Sequence, residues 1–114
     1  MLPSIVIEVR EYVAADGSSP YRKWFNSLNA QAAAKVAIAA TRMEQGNLSN
    51  AKSVGGGLHE YCIDFGPGYR IYFGRDGDRL VILLGGGTKR RQPVDIRRAQ
   101  ALWVDYKRRM KEEN

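Results

Sequence analysis

Near the start of the chain Ile5, Ile7 and Val9 alternate with Val6, Glu8 and Arg10. That period of two predicts a short, half-buried strand. The period then changes. Ser19 offers an N-cap and Pro20 a first helical position, after which Tyr21, Trp24, Phe25 and Leu28 recur at the spacing of one helical face. Asn29 can cap a second helix, with Ala33, Val36, Ala40 and Met43 as a narrow apolar stripe ending near Gly46. With no long linker between them, the two helices form an αα-hairpin. Residues 47–57 carry Asn, Ser and three consecutive glycines and read as a loop, with Lys52 inside it.

Three strands are predicted beyond that loop, at 58–65, 69–73 and 80–84. Gly66-Pro67-Gly68 and Gly74-Arg75-Asp76-Gly77-Asp78 join them with turn chemistry. Connections this short make the three strands antiparallel neighbours. Residues 80–84 are apolar at every position, as expected of a strand covered on both faces. After Gly85-Gly86-Gly87, a C-terminal helix over 94–112 collects Ile96, Ala99, Leu102, Trp103, Tyr106 and Met110 on one face. The expected fold is α+β: an N-terminal strand, an αα-hairpin, an antiparallel sheet of about four strands and a closing helix.

A chain of 114 residues holds one domain, spanning 1–114. No apolar run reaches the ~20 residues of a bilayer span, and the N-terminus lacks a signal-peptide pattern, so a cytoplasmic protein with no membrane partner is expected. One Cys and one His give no disulfide and no metal framework, and no cofactor motif is present. The net charge of +6 is concentrated at the C-terminal end. From Lys89 onward nine Lys/Arg face four Asp/Glu, a local +5. Such a footprint favours a polyanion, although a solvated helix face accounts for the charge equally well.

Strand alternation turns this pattern into candidate chemistry. Over 58–65, His59, Tyr61, Ile63 and Phe65 form the apolar side and leave Glu60, Cys62 and Asp64 on the other. Over 69–73, Arg70 and Tyr72 point opposite to Tyr69, Ile71 and Phe73. Pairing through the Gly-Pro-Gly turn puts Glu60, Cys62, Asp64, Arg70 and Tyr72 on one polar surface, bordered by Lys89, Arg90, Arg91 and Gln92. Carboxylates, an arginine and a tyrosine beside a basic loop suit a phosphodiester; a solvated sheet face is the plainer alternative. His59 falls on the inward side and reads as structural.

The run Glu60-Tyr61-Cys62-Ile63-Asp64-Phe65-Gly66-Pro67-Gly68-Tyr69-Arg70-Ile71-Tyr72-Phe73 resembles the signature of HigB-like toxins of the RelE/ParE superfamily, the addiction module killer branch. An apolar strand, Gly86, Lys89, Gln92, Asp95-Ile96 and Ala99 follow as in that family, and the order of elements is similar. The resemblance implies the toxin of a type II toxin–antitoxin pair, a metal-independent, ribosome-dependent mRNA endonuclease. Its partners would be translated mRNA and a cognate antitoxin, usually of helix-turn-helix type, through which alone it would reach operator DNA. On that reading Arg70 and Lys89 stabilise the phosphate, Glu60 and Tyr72 are acid–base candidates, and Lys52, Arg90, Arg91 and Gln92 contact RNA. Arg70 is the group expected to lower the Tyr72 pKa. One departure stands out: the family pattern has an arginine two residues after the glutamate, where this chain has Cys62. Cysteine there removes a charge and up to five fixed donors. Natural attenuation, selection against an intact toxin, and a site independent of that side chain are the competing accounts. A ParE-like toxin acting on a protein such as DNA gyrase, and a silent relative that only binds its antitoxin, are the alternative functions.

Overall fold

The computed structural model describes residues 6–113. Along the chain run β1 (Glu8–Glu11), α1 (Pro20–Asn26), α2 (Ala30–Glu44), β2 (Ala51–Gly55), β3 (Leu58–Ile63), β4 (Tyr69–Asp76), β5 (Leu80–Thr88) and α3 (Gln92–Glu113), with a one-turn 3-10 helix at Lys89–Arg91 before α3. The fold is α+β, built on one five-stranded sheet in the order β1-β5-β4-β3-β2.

Both predicted caps form. The Ser19 hydroxyl accepts from the Arg22 N–H and the Asn29 side chain from the Ala32 N–H, satisfying donors that the first helical turns leave open. The buried stripe of α2 is Ala32, Val36, Ala39 and Met43, so two of its members lie one residue before the expected Ala33 and Ala40. In an alanine-rich helix the neighbouring positions carry the same side chain, and only packing against the sheet selects between them.

The sheet departs from the expected four antiparallel strands in two ways. β1 runs parallel to β5, with Glu8 opposite Leu80 and Glu11 opposite Leu83, so the sheet is mixed. Ile5, the first residue of the alternating pattern, lies outside the described residues. The second difference is β2, which forms inside the stretch read as a loop and pairs antiparallel with β3 across a bulge between Ser53 and Gly55. Its polar, glycine-containing sequence suits an edge strand that pairs on one side only.

β3, β4 and β5 are antiparallel neighbours, as the short turns require. Gly66 and Gly68 take positive φ at 56° and 79° in the first of those turns. The sheet is covered on both faces. Tyr61, Ile71, Phe73, Val81 and Leu83 pack with Tyr21 of α1 and Val36 and Met43 of α2, whereas Leu58, Tyr72, Ile82 and Leu84 pack with Ala99 and Trp103 of α3. β5 does not end at Leu84 but continues through all three glycines to Thr88. The missing side chains let other elements approach: a Cβ at Gly86 would overlap the Trp24 ring, one at Gly87 the Asp95 carboxylate, and one at Gly74 of β4 the Trp103 ring. No helix among the described residues is long and apolar enough to cross a membrane.

Gly74→Ala should therefore force Trp103 off the sheet and lower stability by about 1–3 kcal/mol, the usual cost of overpacking a core. Gly85→Ala, whose Cβ meets nothing within 4 Å, should stay within about 0.5 kcal/mol of the parent. Urea unfolding of the two variants checks this; equal midpoints would show that the Trp103 contact does not constrain position 74.

Candidate functional site

Glu60 lies in the middle of β3, with Lys52 of β2 opposite it on one side and Tyr72 of β4 on the other. Cys62 lies opposite Arg70. Alternation thus brings Glu60, Cys62, Arg70 and Tyr72 to one face, as the sequence implied. That face is not an open polar surface, however, because α3 lies over it. Glu60 is 0 % exposed and Tyr72 1 %.

A buried carboxylate without partners is very costly, and Glu60 is surrounded by them. Gln92, at the first turn of α3, donates to its Oε2 at 2.6 Å, and the Cys62 thiol to its Oε1 at 3.4 Å. Lys52 Nζ and Arg70 Nη1 approach the same Oε1 at 3.6 and 3.8 Å. Both oxygens are engaged. Glu60 therefore gathers two cations and an amide around itself, and its role as an acid–base candidate gives way to a positioning one.

Beside this buried cluster opens a basin of about 330 Å³ lined by Asn50, Cys62, Asp64, Gly68, Arg70 and Lys89. Lys89 reaches it because the 3-10 turn docks on the Gly-Pro-Gly turn: its N–H donates to the Gly68 carbonyl at 2.8 Å. The Arg70 side chain is only 13 % exposed, whereas Lys89 is exposed at the rim; Lys52 is exposed on the edge strand and does not line the basin. Cations held on one strand and a turn make a basin suited to a phosphate group.

Tyr72 does not have the lowered pKa expected of it. Burial pushes its phenol well above the ordinary value, and the nearby carboxylates of Glu60 and Asp95 push it further, outweighing the opposing charge of Arg70. Its hydroxyl is buried without a hydrogen-bond partner. It stays neutral at physiological pH and cannot serve as a base. Arg90 and Arg91 are exposed, but neither lines the basin; Arg91 faces a separate groove between α1 and α3. Gln92 is taken up by Glu60. His59 stacks on Phe73 at 5.3 Å between ring centroids, and burial lowers its pKa, in keeping with a structural role.

Two further residues line the basin without having been given a role from sequence. Asp64 is exposed at the mouth, and alternation had already placed it on the correct face. Asn50 lies just before β2, where no signal in the sequence distinguishes it from the rest of the apparent loop.

The chain is 41% identical over 83 residues to an uncharacterized protein of Haemophilus influenzae, an alignment covering 72% of this chain and 84% of that protein. It belongs to the same family. No family model matches the chain, and no solved structure does.

Burial, followed by the hydrogen bond to Glu60, raises the Cys62 thiol above its ordinary pKa, and the nearby Arg70 and Lys52 only partly oppose this. The neutral thiol is the favoured form in the folded protein, so folding stability linked to it is present below the unfolded pKa and falls as pH rises above it. Iodoacetamide alkylation of folded protein should accordingly show a midpoint above about 8.5, and urea-unfolded protein one near that value. A folded midpoint lying below the unfolded one would mean that Arg70 and Lys52 dominate the thiol's surroundings.

Proposed function

We propose that the chain is a RelE-like toxin of a type II toxin–antitoxin pair, acting in the cytoplasm as a metal-independent endonuclease on translated mRNA and held in check by a cognate antitoxin. The observation that carries this reading is the basin itself: Arg70 and Lys89 line it, and the fully buried Glu60 pairs with Arg70 at 3.8 Å and with Lys52 at 3.6 Å. The family resemblance of the signature at 60–73 supplies the substrate.

RNA cleavage without a metal requires a proton to leave the 2′-hydroxyl, stabilisation of the extra charge on the phosphorane, and a proton for the departing 5′-oxygen. Arg70 is the preorganised cation for the phosphorane, because its side chain is nearly buried and tied to Glu60. Lys89, exposed at the rim, donates the proton that the departing 5′-oxygen takes. Asp64 is the exposed carboxylate at the basin and accepts the 2′-hydroxyl proton. Lys52 adds a phosphate contact from the edge strand. Cys62 lines the basin where the family signature has an arginine, so this chain lacks one fixed donor set at the reacting phosphate. That missing charge favours an attenuated toxin, and it supports a second reading in which the chain retains antitoxin binding without cutting RNA.

Growth and primer extension on translated messages, in cells inducing this chain or Cys62→Arg, test the proposal. The arginine form should arrest growth and cut messages, with the parent about 100- to 1,000-fold less active. Adding Arg70→Gln to Cys62→Arg should reduce cutting by a similar factor, and Asp64→Asn should lower kcat while sparing RNA affinity. Growth arrest with intact messages would replace the endonuclease with a toxin acting on a protein target; no arrest from either form would favour the silent relative.

A further inference from the structure

β1 pairs with only the first part of β5, from Leu80 to Leu83. Past that point the edge of β5 is flanked by α1 on one side and the start of α3 on the other, and between them runs a groove of about 580 Å³. It is separate from the basin described above. Thr88 lines the groove and Lys89 the basin, so a single turn of chain divides the two.

Three features give the groove its chemistry. Trp24 lies over the bare backbone of Gly86, presenting an indole within the groove wall. Lys23, Arg91 and Arg98 stand exposed around it, and none of the three forms an ion pair among the described residues. Asp95, 8 % exposed, lines the same groove with its Oδ2 buried and unpartnered. Unpaired cations around an aromatic wall fit either a nucleotide or an acidic peptide. The buried Oδ2 of Asp95, which has no partner, decides between them: a base offers it N–H donors, whereas the ionised side chains of an acidic peptide are acceptors only.

We infer that this groove holds one nucleotide of a single-stranded RNA, its base against Trp24 and its phosphate among Lys23, Arg91 and Arg98. The inference rests on the RNA-cleaving reading, and it adds a second subsite on the far side of the 88–91 turn from the reacting phosphate. Stacking on an aromatic ring tolerates any base, so the subsite supplies affinity and direction rather than sequence choice. Duplex RNA, whose bases are paired and stacked, cannot use it.

Fluorescence anisotropy of a short labelled oligouridine, titrated with the full chain at several salt concentrations, tests this. Trp24→Ala should weaken binding by about 10-fold or more, with Trp24→Phe restoring most of it. Because Trp24 packs on Gly86, the exposed pair Arg91→Gln/Arg98→Gln provides a variant that spares the core. It should lower the slope of log K against log salt by about 0.7 for each phosphate that is no longer neutralised. The inference is overturned if both sets leave affinity and slope unchanged while Arg70→Gln alters them, or if an oligoglutamate binds through Trp24 and the oligouridine does not. If the groove variants weaken binding yet Cys62→Arg cuts no message in cells, the subsite stands and the endonuclease reading fails.

Discussion

A carboxylate with no exposure at the centre of a sheet constrains everything around it. A carboxylate can be buried there only if charge and hydrogen bonds reach it from several directions, and each element around Glu60 contributes. The edge strand β2 brings Lys52, the central strand β4 brings Arg70, and α3 begins with Gln92 directed at Oε2. The start of α3 and the attachment of β2 are thus part of one electrostatic arrangement. Such a cluster is weak evidence for added stability, since an apolar replacement of similar volume is often no less stable. Its value lies in holding Arg70 in one position beside the basin, where a free arginine would have no such order.

Close approach of side chains to bare backbone shapes the same sheet. At Gly74, Gly86 and Gly87 the absent Cβ admits Trp103, Trp24 and Asp95 respectively onto the backbone of the sheet. Two of these contacts anchor helices on opposite faces, and the third brings an unpartnered carboxylate to the edge of β5. Two of the three consecutive glycines in β5, Gly86 and Gly87, thus admit an aromatic ring and a carboxylate onto the strand. Trp24 and Asp95 then define the groove on one side of the 88–91 turn, while Lys89 faces the basin on the other.

Much of this was legible in the sequence. The caps at Ser19 and Asn29, the glycine turn at 66–68 and the doubly covered strand at 80–84 each reflect local chemistry, and each is found, while the apolar stripe of α2 is found with two of its members shifted by one residue. The polar face shared by Glu60, Cys62 and Arg70 also followed from alternation. What local chemistry could not show was depth. Alternation places residues on a face but is silent on what lies over it, so Glu60 and Tyr72 read as accessible although α3 covers them. Tyr72 in turn was expected to be acidified by Arg70; burial beneath α3 opposes this most strongly, and the carboxylates of Glu60 on the neighbouring strand and of Asp95 add to it. β2 was hidden for a similar reason: its strand conformation is imposed by pairing with β3, not by its own residues. Glycines read as the end of β5 proved to be its continuation, since a glycine marks a break or a close approach with the same letter.

The parallel pairing of β1 with β5 has a bearing on how the molecule is assembled. Glu8 meets Leu80 and Glu11 meets Leu83, contacts that join segments far apart along the chain. The β3-β4-β5 meander, by contrast, closes through short turns. Contacts between distant segments are slow to form because the intervening chain must first be confined. During synthesis the N-terminal strand has no partner until β5 has left the ribosome, and its edge must wait unpaired. Of the five described strands, the one translated first thus pairs with the one translated last.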